Sequence, residues 1–271
     1  MLSRTWGVIM KNNNRFRIKI ARMIKNAGEG HIPSAYSIID IIAALYGSVL
    51  KFDSSNPEWE DRDYFILSKG HGAAALYAVL EEYGFISQED IKNKGRETGI
   101  LGGHPDCTKV PGAEASTGSL GHGLVTAMGI ALGLKIKSKS NKVFSLIGDG
   151  ESNEGTVWET ALIAQNLKLG NLCLIVDKNN SIDQILKFPN MKSIWESFGW
   201  EVYEVDGHNE KEILHAIESM EFNLDSKPKI IIAHTVKGKG VSFTEGHGPW
   251  HHRIPTDEEM ENIERELSQD E

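Results

Sequence analysis

Two short polar turns, each closing an apolar run, carry the residue types that could bind a divalent cation. The first turn is Gly148-Asp149-Gly150, and the second follows Asp177 and includes Asn179. Mg²⁺ and Ca²⁺ prefer oxygen ligands, and Mg²⁺ is usually held by one or two protein oxygens together with phosphate oxygens. The carboxylate of Asp149 and the side-chain carbonyl of Asn179 are ligands of this kind. The two turns therefore predict a site for a metal-bound diphosphate.

Other groups near these turns fit the same chemistry. A backbone carbonyl beyond Asn179, which we assign to Ser181, would supply a third oxygen to the cation. Gly148 and Gly150 have no Cβ, so the backbone can approach phosphate oxygens closely. Either turn alone would be explained as an ordinary loop after a buried strand, and only their combination favours a metal site.

The elements around the turns should bring them together. The apolar runs 143–147 and 172–176 are typical of short buried strands. Between them, residues 156–169 predict a helix that begins with a capping box formed by Thr156 and Glu159. A strand–helix–strand unit of this kind places two parallel strands side by side. Open α/β sheets bind ligands at the carboxyl edge of their strands, where both turns would lie.

Alternating helices and strands along the remaining chain predict an α/β protein with a mainly parallel central sheet and helices on both faces. Further helices are predicted at 15–27, 36–50, 71–84, 118–137, 190–198, 210–221 and 257–268. Further strands are predicted at 63–67, 200–205 and 229–235. No segment has the composition of an interdomain linker, so residues 1–271 are expected to form a single domain.

The two turns and several other segments together resemble the thiamine-diphosphate enzymes, whose signature is Gly-Asp-Gly followed one strand–helix–strand unit later by asparagine. The resemblance narrows to the N-terminal, diphosphate-binding domain of transketolase and extends over most of the chain. The further segments that carry it, in the family's order, are Gly30-His31, Ser68-Lys69-Gly70-His71-Gly72, Gly103-His104-Pro105, Gly118-Ser119-Leu120-Gly121-His122-Gly123, Glu154-Gly155, Glu159-Thr160-Ala161, Lys237-Gly238-Lys239-Gly240 and Trp250-His251.

The resemblance implies a site for thiamine diphosphate with Mg²⁺ or Ca²⁺, and the transfer of a two-carbon ketol unit from a ketose donor to an aldehyde acceptor. By resemblance, His31, His71 and His251 lie near the diphosphate, the thiazolium ring and the reacting carbons, and His104 contacts the hydroxyl end of the donor. Imidazole suits such proton transfers because it titrates near neutral pH. The implied cofactor-binding residues are His71, Gly118, Ser119, Leu120, Gly148, Asp149, Gly150, Glu154 and Asn179.

Two glutamates have two alternative assignments from sequence, and three further histidines have a structural one. Glu154 and Glu159 are explained equally well as carboxylates favoured by a helix dipole. By resemblance, they are instead catalytic-network residues that join two active sites across a subunit interface. His208, His215 and His234 lie outside the matched segments, and we interpret them as structural.

Two positions depart from the family pattern. The segment between Asn179 and Asp183 is one residue short, and the glycine expected after the aspartate is absent. Because of this change, the family pattern does not by itself identify Ser181 as the third metal ligand. The residue after His251 is His252 instead of glycine, so the mouth of the pocket is expected to be narrower or more polar.

The pyrimidine-binding domain of transketolase-type chains has no counterpart in this sequence. We therefore expect one half of a split enzyme, active only with a pyrimidine-binding partner subunit, with a homodimer at the core of a heterotetramer and sugar or sugar-phosphate substrates. A related thiamine enzyme of the deoxyxylulose-phosphate-synthase type is one alternative. A non-catalytic cofactor-binding or regulatory subunit is another, although an inert relative would not need all four pocket histidines.

Composition and charge exclude several other classes of protein. The net charge of −9 argues against general nucleic-acid binding. No apolar run is long enough to span a bilayer, and no signal peptide precedes the first helix. The two cysteines, Cys107 and Cys173, do not form a disulfide framework, which fits a cytoplasmic location. The basic stretch from Arg4 to Lys25 could indicate a transit peptide, but we interpret it as the solvated face of an amphipathic helix whose inward side includes Phe16.

Overall fold

The structure, a computed structural model, describes residues 13–183, 185–187, 190–246 and 248–269. In chain order the helices are α1 (Asn14–Ala27), α2 (Ile32–Tyr36), α3 (Ile39–Ala44), α4 (Ala73–Glu82), α5 (Gln88–Lys92), α6 (His122–Ile136), α7 (Gly155–Asn166), α8 (Met191–Ser197), α9 (Glu210–Glu218) and α10 (Asp257–Gln269). The strands are β1 (Tyr64–Leu67), β2 (Val143–Gly148), β3 (Leu172–Lys178), β4 (Glu201–Asp206) and β5 (Lys229–His234).

These strands form one parallel sheet in the order β1-β2-β3-β5-β4. The pairing of β2 with β3 runs in register from Val143 opposite Leu172 to Gly148 opposite Asp177. Both predicted turns therefore begin side by side at the carboxyl edge of the sheet, as expected for a strand–helix–strand unit. The carbonyl of Asp177 also accepts a hydrogen bond from the backbone N–H of Asp149, at 3.1 Å.

Two hydrophobic cores cover the two faces of the sheet. Successive side chains of a strand point to opposite faces, and the buried residues of β2 and β3 divide accordingly. Phe144 and Ile175 pack with α1, α3, α4, α9 and α10 on one face. Ile147 and Val176 pack with α6, α7 and α8 on the other. The predicted parallel sheet with helices on both faces is confirmed.

The opposite charges of α1 and α10 meet in the folded chain. Arg22 on α1 forms an ion pair with Glu264 on α10, with its Nε 2.8 Å from Oε1. Phe16 on the other side of α1 is fully buried, as predicted, and so is Ile20 one turn further along. Arg17 is an exception to the prediction that the basic residues of this helix are solvated, because it is buried in an ion pair. The basic stretch before residue 13 lies outside the described residues.

Several helix boundaries differ from those predicted. The region 36–50 is not one helix, because α2 ends at Tyr36 and is followed by α3 and a π-helical turn at Leu45–Val49. The helix predicted at 118–137 begins only at His122, because Gly121 has a left-handed conformation with φ of +80°. The short helix α5 was not expected from sequence. None of the described helices is long and apolar enough to cross a bilayer.

Candidate cofactor site

Asp149 and Asn179, the two predicted metal ligands, lie together at the carboxyl edge of β2 and β3. The backbone N–H of Ser181 donates to both side chains, at 3.1 Å to Oδ2 of Asp149 and 3.0 Å to Oδ1 of Asn179. The Ser181 hydroxyl also donates to Oδ1 of Asp149, at 3.1 Å. Asn180 has φ of +62°, in the left-handed region that asparagine tolerates, within the turn that carries Ser181. Two side-chain oxygens thus converge on one point.

The carboxyl group of Asp149 is almost fully buried, at 1% exposure. Burial raises its pKa above the usual value, and the neighbouring carboxylate of Asp177 raises it further, while Lys69 opposes them. A buried carboxylate beside a second one favours any cation that can neutralise it. Its two oxygens already accept bonds from Gly150 and Ser181, so the donors present are weak neutral ones.

Asp177 and Lys69 form a buried ion pair next to this site. The Lys69 ammonium donates to Asp177 Oδ2 and, at 3.0 Å each, to the carbonyl of Ser34 and the hydroxyl of Ser37. Burial alone would raise the pKa of Asp177, but the Lys69 ammonium and several hydrogen bonds lower it below its usual value. Asn179 Nδ2 also donates to Asp177, at 2.8 Å to Oδ2. The ion pair therefore orients a predicted metal ligand.

Glu151 ties three of the family-like segments together. One of its oxygens accepts from the hydroxyl of Ser68 and, at 2.9 Å, from the backbone N–H of Gly121. The other accepts from the backbone N–H of Gly148, at 3.2 Å. Burial raises the pKa of this carboxyl, and these hydrogen bonds act in the opposite direction. Sequence reasoning did not identify Glu151 or Lys69 as site residues, although both lie within or beside the matched segments.

Four histidine rings form a continuous row beside the carboxyl edge. His71 lies between His31 and His104, with ring centroids 4.9 Å and 5.1 Å away. His252 packs on the other side of His31, at 4.7 Å. The structure thus brings together three of the four predicted histidines and adds His252. The side chain of His251 lies outside what the structure describes.

Two glycines, which have no Cβ, leave room for the ring of His104. A Cβ on Gly118 would lie 3.0 Å from Cδ2 of this ring, and one on Gly70 would lie 3.0 Å from the same atom and 2.9 Å from the Cα of Gly118. Gly118 also has φ of +147°, which favours glycine. By contrast Gly150 has ordinary helical angles, with φ of −63°, so only access to a ligand would require glycine there.

The other predicted site residues lie at the starts of α6 and α7. Ser119 and Leu120 are exposed just before α6. Glu154 is half-buried at the N-terminus of α7, and Glu159 is exposed one turn further along. The predicted capping box of Thr156 and Glu159 is wrong, because the helix already begins at Gly155 and its capping residue is Glu154, which makes no side-chain cap bond.

The residues present could hold a hard cation only if a bound phosphate group supplied further oxygen ligands. Within the described residues, no group of three or more His, Cys, Asp and Glu side chains could hold a metal ion. A cation bound here would rely on the carboxylate of Asp149, on amide and backbone oxygens, and on phosphate. This set matches the preference of Mg²⁺ for few protein ligands and substrate phosphates.

Comparison with known proteins agrees with this geometry. The family described as "Transketolase, thiamine diphosphate binding domain" matches residues 10–271. The chain belongs to the transketolase family. It is 38% identical over 258 residues to an apulose-4-phosphate transketolase subunit of Phocaeicola vulgatus, covering 93% of this chain and 91% of that protein. It is also 38% identical to the 6-deoxy-6-sulfo-D-fructose transketolase subunit SqwG of Clostridium sp. strain MSTE9, with 91% of each chain covered.

Solved transketolases share the fold. Transketolase from Leishmania mexicana superposes with a TM-score of 0.89 at 28% identity over 97% of this chain. This chain spans only 41% of the Leishmania chain, whereas it covers nearly the whole length of the two subunit relatives. The predicted family and the thiamine-diphosphate-binding α/β fold are confirmed. The predicted enzyme class, a transketolase-type transferase, is supported by the same relatives.

Proposed function

We propose that this chain is the diphosphate-binding subunit of a two-subunit transketolase, which moves a two-carbon ketol unit from a ketose donor to an aldehyde acceptor. The observation that carries the proposal is the convergence of Asp149 Oδ2 and Asn179 Oδ1 on the N–H of Ser181. This convergence lies at the edge of the sheet where α/β proteins bind ligands. The row of histidines next to it supplies the proton-transfer groups that ketol transfer requires.

Asp149 and Asn179 would hold Mg²⁺ or Ca²⁺, with the carbonyl of Ser181 as the third protein oxygen. A divalent cation would offset the cost of burying the Asp149 carboxylate beside Asp177, because opposite charge favours the ionised form. Gly148 and Gly150 border the same point and leave the backbone open to phosphate oxygens. By family resemblance, Gly118, Ser119 and Leu120 would lie under the aminopyrimidine ring.

The histidines would serve the reacting oxygens. Thiamine diphosphate, when bound, supplies the carbon nucleophile and the electron sink that breaking a carbon–carbon bond beside a carbonyl requires. His31, His71 and His251 would donate or accept protons at oxygens near the reacting carbons, and His104 would bind the hydroxyl end of the donor. Imidazole rings about 5 Å apart can hydrogen-bond to successive oxygens of a sugar, and general acid–base groups contribute about 10²–10⁴-fold to rate.

Exposed apolar residues on α6 and α7 support self-association. Ile136 is 75% exposed, Leu162 59% and Ile163 45%. Large apolar side chains grouped on a protein surface mark an interaction site. We propose that two copies pair through this α6–α7 surface, which also carries Glu154 and Glu159. Two pyrimidine-binding partner subunits would complete a heterotetramer, in keeping with the names of the relatives, which describe each of them as a transketolase subunit.

Sugar phosphates or similarly anionic sugars are the proposed substrates. One relative is named for apulose-4-phosphate and the other for a sulfonated deoxyfructose. His252 extends the histidine row beyond His31, and its ring would hydrogen-bond to a hydroxyl or an anionic group of such a substrate.

Co-expression with a pyrimidine-binding transketolase subunit tests the proposal. The purified complex should convert ketose and aldehyde in a coupled ketol-transfer assay, and its mass should correspond to two copies of each subunit. The isolated chain should show little or no turnover. Full turnover by the isolated chain, or an inactive complex that contains cofactor and cation, would contradict the proposal.

A further inference from the structure

The turn that follows β5, residues 235–240, begins beside the cofactor site and includes Lys237. Lys237 is half-buried, and burial lowers the pKa of its ammonium; Lys69 acts in the same direction, whereas Asp149 and Asp177 act in the opposite one. At the start of the turn, the Thr235 hydroxyl donates to Asp177. The turn, called the lysine turn below, is thus joined to the same carboxylate that orients Asn179.

His208 holds the backbone of the lysine turn from the segment after β4, the strand that lies beside β5 in the sheet. Its Nε2 lies 2.8 Å from the backbone nitrogen of Val236, and its Nδ1 lies 2.7 Å from Oδ2 of Asp40. A backbone N–H can only donate, so Nε2 must be the acceptor and the ring proton sits on Nδ1. His208 therefore accepts from the residue directly before Lys237 and donates to a carboxylate.

Arg17 holds the other end of the same turn. Its Nε donates to the carbonyl of Lys239 at 2.9 Å, while Nη1 and Nη2 donate to the two oxygens of Asp40 at 3.2 Å and 2.5 Å. Gly240 has φ of +101°, and a Cβ there would lie 3.0 Å from Cδ of Arg17. The guanidinium is thus packed against the turn it binds.

Asp40 connects the two residues, His208 and Arg17, that hold the lysine turn. Its side chain is 8% exposed and accepts from Arg17, His208 and, at 2.8 Å, Asn13. Bidentate arginine–carboxylate pairs have fixed geometry, so the position of Asp40 sets the position of both Arg17 and the His208 ring. One buried carboxylate therefore fixes both flanks of Lys237.

We propose that His208, acting with Asp40 and Arg17, is a positioning residue that holds the lysine turn so that Lys237 faces the diphosphate. The inference rests on the proposed function, because it assigns a diphosphate to the site. The hydrogen bond from Val236 is the part of the network that acts on the lysine turn, and the bond to Asp40 orients the ring. His208 itself does not contact the cofactor.

Replacing His208 with Gln or Asn separates the effects of its hydrogen bonds with Val236 and Asp40, because each amide side chain reproduces the position of only one ring nitrogen. Gln places a carbonyl oxygen near the position of Nε2 and can still accept from Val236, whereas Asn reaches only the position of Nδ1. His208→Gln should bind thiamine diphosphate with Mg²⁺ about as tightly as the unaltered complex. His208→Asn and His208→Ala should bind it about 5- to 10-fold more weakly, the loss of one hydrogen bond. His215→Ala, a change on α9 away from the network, is the matched control.

Calorimetry on the complex with its partner subunit gives the affinities. Amide hydrogen exchange at Val236, measured without cofactor, gives a readout that does not depend on cofactor binding. Faster exchange in the Asn and Ala variants, with protection retained in the Gln variant, supports the proposal. Equal affinity in all four variants, or equal loss in Gln and Asn, overturns it. A third outcome distinguishes the two proposals: the unaltered complex binds no cofactor, yet Val236 is protected in it and loses protection in the Ala variant. In that case the proposed function fails, but the inference that His208 holds the lysine turn is retained.

Discussion

Lys69→Met removes the cation from a buried ion pair and should destabilise the protein strongly. Asp177 is fully buried and accepts hydrogen bonds from Lys69, Ser37, Asn179 and Thr235. Without the ammonium, its charge would be balanced only by neutral donors. The nearby carboxylate of Asp149 would then repel it without compensation.

The expected loss is about 3 kcal/mol in the free energy of unfolding. Removing one partner of a buried pair costs about 3–5 kcal/mol, and the three remaining donors to Asp177 place the loss at the lower end. For a domain of this size, each kcal/mol shifts the melting temperature by about 2–4 °C, so the midpoint should fall by about 6–12 °C.

The deficit should depend on pH in a defined direction. The pKa of Asp177 is lowered in the folded state, so its contribution to stability is present above the unfolded pKa of about 4 and is lost as pH falls through the folded value. Lys69→Met abolishes this contribution. The difference between the variant and the unaltered protein should therefore be largest near neutral pH and should shrink below about pH 4.

Urea unfolding at several pH values, followed by circular dichroism, measures both effects. Lys229→Met is the matched control, because Lys229 is also buried but donates to neutral oxygens of Gly170 and Ser226. Burial lowers the pKa of Lys229, so removing its charge relieves a cost and should change stability by no more than about 1–2 kcal/mol. A Lys69→Met deficit no larger than that of the control, or one independent of pH, would refute the reasoning.

Three further predictions concern the histidine row, the start of α6 and the α6–α7 surface. His31→Ala and His104→Ala should lower kcat of the complex by about 10²–10⁴-fold in steady-state kinetics. Both variants should change cofactor affinity little, as measured by calorimetry. Near-normal kcat in both would remove the case for a shared pocket. Gly121→Ala should lower the free energy of unfolding by about 2–3 kcal/mol, because φ is +80° and the new Cβ would lie 2.3 Å from the hydroxyl of Thr156. Gly129→Ala is the control. Its new Cβ would have no atom within 4 Å, so the change should be neutral or slightly stabilising in thermal unfolding. Leu162→Asp should separate the paired copies in sedimentation without lowering stability, and an unchanged mass would argue against the α6–α7 surface.

The sheet and the edge that holds the site can be predicted from the sequence. Buried strands such as 143–147 and 172–176 are short apolar runs bounded by turn residues, and the strands β2 and β3 extend only one or two residues beyond them. Because parallel strands end at one edge, Asp149 and Asn179 can be placed together without coordinates.

Contacts between distant segments cannot be predicted in the same way. The sequence indicates only a structural role for His208, yet this residue joins the segment after β4 to the lysine turn and to Asp40. Such a contact depends on the order of strands across the sheet, in which β5 lies between β3 and β4. No local periodicity encodes this order. The error at Thr156 has a local cause, because more than one residue near Gly155 can begin a helix.

Metal-dependent binding of thiamine diphosphate tests the central claim most directly. Calorimetry on the complex should show binding with Mg²⁺ and none after chelation, and Asp149→Ala should abolish it because the one carboxylate proposed as a metal ligand is removed. Asp183→Ala, a change in the same loop that removes a partner of Lys178 instead, should bind normally. Unchanged affinity in Asp149→Ala, or after chelation of the metal, would contradict the assignment of this site.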